Sequence, residues 1–100
     1  MKAINKLIKD FGSIEIENMQ SSRGNDVPNQ FIIRTKMGRL FRSYDSNIAF
    51  IPKDENIIYL GKDWNYSVTT SKYRNAFLNM TSNEIKQGID NKTIIIKKEL

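Results

Sequence analysis

None of the 100 residues is Cys or His. Without disulfides or a structural zinc ion, a chain this short has to be held by its own apolar core. Hydrophobic residues make up 39% of the chain and aromatics 10%, enough for one core and too little for two. The chain is also too apolar for a disordered tail. These limits predict one domain over residues 1–100. The missing Cys and His also remove a Cys or Ser–His nucleophile and an imidazole general base. The 11 acidic residues are scattered, with no D-x-D cluster to gather a hard cation. No catalytic residue, metal site or cofactor is expected, and binding is favoured over catalysis.

Lys2, Lys6, Lys9 and Asp10 interrupt any apolar run near the first residue, well short of a signal-peptide core. No stretch approaches the ~20 apolar residues of a membrane span. The expectation is a soluble cytoplasmic protein with no membrane partner.

Ile4, Leu7, Ile8 and Phe11 recur at helical spacing before Gly12, which predicts a first helix. Ser13 to Glu17 alternates with period two and reads as a short strand. Gln20 to Asn29, polar and holding Gly24 and Pro28, reads as the longest loop. Ile48–Ile51 and Asn56–Leu60 read as strands joined by a turn at Pro52. Tyr73, Ala76, Phe77 and Met80 mark a helix over Thr70–Met80, with Thr69 or Thr70 as N-cap. Thr81-Ser82-Asn83-Glu84 matches a capping box and opens another short helix that Gly88 ends. The β-branched run Thr93–Lys98 predicts a closing strand. The fold class is α+β: a mostly antiparallel sheet of five to six strands with three short helices packed on one face. Either a monomer or a homodimer through the edge of the last strand is compatible with this pattern.

Asn29–Ser43 is the clearest hairpin. A three-residue loop, Lys36-Met37-Gly38, pairs Ile33 with Phe41 and puts Gly38 at a left-handed turn position, where glycine has no steric penalty. One face then carries Phe31, Ile33 and Phe41. The other carries Gln30, Ile32, Arg34, Leu40, Arg42 and Tyr44.

Charge concentrates in this hairpin. The net charge is +5, and Ser21–Tyr44 holds five cationic residues against Asp26 alone, so +4 of it. In the register above, Arg34, Arg42 and Tyr44 share a face, Lys36 crowns the loop and Arg39 sits at its end. Such a surface suits a phosphate backbone with a stacked base. It equally suits an acidic protein face, since Arg and Tyr are enriched at interfaces. An ordinary solvated sheet face is the third reading. The helix from Thr70 adds Lys72, Arg74 and Asn75 as a second candidate surface. Trp64 and Tyr66 just upstream read as core anchors. Ser22-Arg23-Gly24-Asn25 could offer N–H groups to an anion, but lacks the P-loop spacing.

Three segments carry a resemblance. They are Asn29-Gln30-Phe31, then Phe41-Arg42-Ser43-Tyr44-Asp45-Ser46-Asn47-Ile48-Ala49, and the stretch from Trp64 to Leu78. The chain resembles a family of small phage and mobile-element proteins of Gram-positive bacteria, with patterns F-x-S-Y-x-S-x-I-A and W-x-Y-S-x-T-T-x-K-Y-R-x-x-F-L. It departs from the pattern at Arg42, where Gln is expected, and at Ser71, where Gly is expected. The resemblance implies no enzyme activity. It implies an accessory protein of a mobile element acting in a bacterial host cell, similar in size and setting to anti-CRISPR proteins. The partner so implied is a host CRISPR–Cas effector or its bound RNA, inhibited sterically through Arg34, Lys36, Arg39, Arg42, Tyr44, Lys72, Arg74 and Asn75. Direct DNA or RNA binding is the alternative.

Overall fold

A chain that alternates short β-rich runs with tight turns can build a meander, each strand pairing with the one before it. The computed structural model describes residues 14–100 and shows this arrangement. Five strands follow one another: β1 (Ile14–Gln20), β2 (Asp26–Thr35), β3 (Gly38–Ser43), β4 (Ser46–Pro52) and β5 (Ile58–Leu60). Two helices come next, α1 (Val68–Leu78) and α2 (Ser82–Asp90), then a last strand, β6 (Ile94–Ile96). The sheet order is β1-β2-β3-β4-β5-β6. The first four pairings are antiparallel. β6 lies parallel to β5, because the chain has already crossed back over the sheet through the helices.

The register sorts side chains by face. Ile32, Phe41, Ala49 and Leu60 form one cross-strand row, and it meets the helices. Phe41, Ile48, Ala49, Leu60 and Ile94 pack with Tyr73, Phe77, Leu78 and Ile85 in a single cluster. The Phe41 and Phe77 rings lie 5.8 Å apart. Each such burial contributes about 1.5–3 kcal/mol, so this layer dominates the stability. A bulge at Phe41/Arg42 pairs Arg42 with Asn47 and Phe41 with Ala49, leaving Ile48 as the extra residue. Both Ile48 and Ala49 are thereby buried. The opposite face carries the row Ile16, Ile33, Leu40, Phe50, Tyr59 and Ile95.

Several expectations need correction. Two helices are present among the described residues rather than three, and the first expected helix, over residues 4–11, lies outside them. The loop predicted over Gln20–Asn29 is only a tight turn, because β2 begins at Asp26. The hairpin register is off by one. The loop is Lys36-Met37 alone; Thr35 pairs with Gly38, and Ile32 rather than Ile33 faces Phe41. Gly38 does have positive φ, +148°, but it is the first residue of β3. A Cβ there would sit 2.3 Å from the Ile51 carbonyl oxygen. Close backbone approach, not turn chemistry, requires it.

The helices also shift. Ser67, not Thr69 or Thr70, caps α1, its hydroxyl accepting from the Thr70 N–H at 3.0 Å. The buried stripe is Thr70, Tyr73, Arg74, Phe77 and Leu78, while Ala76 is exposed. The capping box at Thr81–Glu84 forms in full. Gly88 does not end α2, which runs on to Asp90. Ile94 lies against Gly88, and an added Cβ would meet its Cδ1 at 2.5 Å.

Candidate functional site

The two-residue turn between β2 and β3 gathers cations at one end of the sheet. Thr35 fixes the turn: its Oγ1 accepts from the Met37 N–H and donates to the Gly38 carbonyl, both at 3.1 Å. The Lys53 N–H donates to the Met37 carbonyl at 3.0 Å, which ties the residues after β4 to the tip. Lys36, Met37, Arg39 and Lys53 are all exposed there. Met37, with half its surface in solvent (51%), is an apolar knob among cations. A shallow depression beside it is lined by Thr35, Gly38, Arg39, Ile51, Pro52 and Lys53.

Arg34 and Arg39 stand directly opposite each other on neighbouring strands. Like charges in that position repel. The chain relieves this on one side only. Arg34 forms an exposed ion pair with Glu17 of β1, Nη2 to Oε2 at 2.7 Å. It is the one ion pair among the described residues. Arg39 instead rests over the Phe77 ring, 5.7 Å from its centroid, a stacking contact that leaves its N–H groups uncommitted. Lys36, Arg39 and Lys53 have no carboxylate partner among the described residues.

The remaining expected contacts lie elsewhere. Arg42, on the face away from the helices' core row, is 7% exposed and donates to the Asn47 side chain at 2.7 Å. It is therefore not on a surface shared with Arg34, as the shifted register requires. Arg74 is 1% exposed. Its guanidinium donates to the Trp64 carbonyl, to the side-chain oxygens of Asn65 and Asn75, and to the Ser82 hydroxyl, five hydrogen bonds in all. It also stacks on the Trp64 ring at 5.2 Å. Burial without an anion pushes its pKa below the ordinary arginine value. Arg74 thus clamps the loop before α1 to the start of α2 and is withdrawn from any partner. Asn75 is part of the same clamp, also donating to Ser82 at 3.1 Å. Lys72 is exposed on α1, 5.4 Å from the Tyr73 ring centroid.

Tyr44 is exposed, but at the other end of the β2–β3 ladder, where its N–H donates to the Asn29 carbonyl at 2.8 Å. Its φ of 54° puts a bulky residue in the left-handed region. The aromatic and the basic tip are therefore separated by the length of the strands. In the β1–β2 turn, the Ser21 hydroxyl accepts from the Arg23 and Asn25 N–H groups at 3.3 Å, so those donors serve the turn rather than an anion. Trp64 packs against the core as expected, whereas Tyr66 is half exposed.

Sequence reasoning missed Met37, Lys53 and Glu17. Met37 looked like a loop residue with no role, and only the tertiary bond from Lys53 brings the fourth cation to the tip. Among the described residues, no group of three or more Asp or Glu converges on a cation position, and no helix is long and apolar enough to cross a membrane.

A model of a family of unknown function, DUF8033, matches residues 14–97. The chain belongs to this family. No curated protein and no solved structure matches it. In this DUF8033 chain the matched region takes in every described element, the hairpin tip and the Arg74 clamp included.

Proposed function

We propose that the chain is a non-catalytic binding protein that docks its hairpin tip on an acidic protein surface. One observation carries this reading. The exposed Met37 shares the hairpin tip with Lys36, Arg39 and Lys53, three cations with no acidic partner among the described residues. An exposed apolar side chain next to unpaired cations suits a protein interface, where Met and Arg are both enriched. A single-stranded nucleic acid would call for an exposed aromatic beside the cations. Tyr44 is at the far end of the ladder, and Phe77 is buried beneath Arg39. The net charge of +5 argues against mimicry of DNA by an acidic surface.

The finer reading names a host CRISPR–Cas effector as the partner, blocked sterically. It rests on the resemblance to small mobile-element proteins alone. The test is a pull-down with tagged protein from cells expressing a Cas9-type effector and guide RNA, with and without nuclease treatment. A stoichiometric effector band that survives nuclease supports it. Recovery of nucleic acid alone replaces it with direct DNA or RNA binding. Arg39→Ala should weaken capture roughly tenfold, as loss of an interface arginine does, while leaving the melting curve in place.

A further inference from the structure

We infer that Glu17 is a built-in competitor for the partner's carboxylates, so that the protein binds by exchanging its own ion pair for an intermolecular one. The inference rests on the proposed docking of the hairpin tip and goes on to name the group that regulates it. Three observations carry it. First, the Arg34–Glu17 pair is in solvent, with side chains 42% and 57% exposed, so it opens at little cost. Second, Arg34 directly faces Arg39, which has no carboxylate of its own among the described residues. Third, Glu17 reaches Arg34 with one oxygen only, Oε2 at 2.7 Å. An incoming carboxylate that engages both arginines would make charge-assisted contacts to each and cancel their repulsion, which Glu17 does for Arg34 alone. The free protein thus covers half of its own anion site.

The geometry selects the chemistry of the partner. Two arginines at paired positions of neighbouring strands, next to a turn with the exposed Met37, fit an acidic peptide segment that also carries an apolar side chain. Such a segment offers planar carboxylates to the arginine forks and an apolar group to the knob. Glu15, the Cα partner of Arg34 on β1, makes no ion pair and provides an internal control with the same change in charge.

The experiment measures the affinity of the full chain for a fluorescent Asp/Glu-rich peptide containing a Leu, by anisotropy, for wild type, Glu17→Gln, Glu15→Gln and Arg39→Ala. Thermal melts establish that each variant is folded. Glu17→Gln should tighten binding about two- to fivefold, the value of an exposed ion pair, and steepen its dependence on salt. Glu15→Gln should change affinity by less, and Arg39→Ala should weaken it. Equal tightening by Glu15→Gln and Glu17→Gln overturns the inference, because net charge alone then explains it. Unchanged affinity in Glu17→Gln with loss in Arg39→Ala also overturns it, while the docking surface stands. No effect of Arg39→Ala overturns both. A duplex DNA bound more tightly than the peptide, with the same response to Glu17→Gln, overturns the choice of partner.

Discussion

Two arginines in this molecule sit on aromatic rings, and they do opposite things. Arg74 lies over Trp64 and spends its guanidinium on five internal hydrogen bonds. Arg39 lies over Phe77 at a similar distance and spends none. The ring contact is common to both, so it does not decide the role. What decides it is the supply of acceptors. The loop before α1 and the start of α2 surround Arg74 with carbonyl, amide and hydroxyl oxygens. The hairpin tip surrounds Arg39 with other cations. A buried arginine with its donors filled serves the structure, whereas an exposed one with its donors free is available to a partner.

This contrast is open to attack in order of effect. Arg74→Ala should cost about 3 kcal/mol, because it removes five hydrogen bonds and the buried side chain that packs on Trp64. Denaturant unfolding would show it directly, and Arg74→Lys should recover little, since an ammonium cannot reproduce the fork. Loss of less than about 1 kcal/mol would remove the distinction between the two arginines, as Arg39→Ala should fall within ~0.5 kcal/mol of wild type. Gly38→Ala comes next, at about 2 kcal/mol, from a Cβ driven into the Ile51 carbonyl and a positive φ. Its neighbours include the tip, so partner binding should suffer with stability, whereas Arg39→Ala separates the two.

The smallest effect concerns Tyr59, whose hydroxyl donates to Glu55 at 2.8 Å. That bond, with minor help from burial and the nearby charge, raises the phenol above its ordinary 10.0. A raised folded value means the contribution is fully present below pH 10 and is lost as pH climbs through the folded value. An absorbance titration should therefore find one tyrosine that ionises late, and Tyr59→Phe should remove it.

Strand positions were legible because alternation and turn residues act locally. The Thr81–Glu84 box was legible for the same reason: all of its partners lie within four residues. The hairpin register was not, because Gly38 answers to Ile51 on the neighbouring strand rather than to its own turn. The burial of Arg74 was not legible either. Its acceptors come from Trp64, Asn65, Asn75 and Ser82, and a cation at a helical core position carries no local mark of having them. Of the eight residues expected at a partner surface, Lys36, Arg39 and Arg34 do meet at the tip, while Arg42 and Arg74 turn inward.

The order of the strands bears on how the chain acquires this shape. Four of the five strand pairings join consecutive segments across short turns, so each closes a small loop and forms quickly. The fifth, β5 with β6, must close everything between Leu60 and Ile94, both helices included. Loop closure then predicts the meander with its cationic tip as the early product and the helical layer with the Arg74 clamp as the late one. Damage to the clamp should accordingly appear as faster unfolding with little change in the refolding rate.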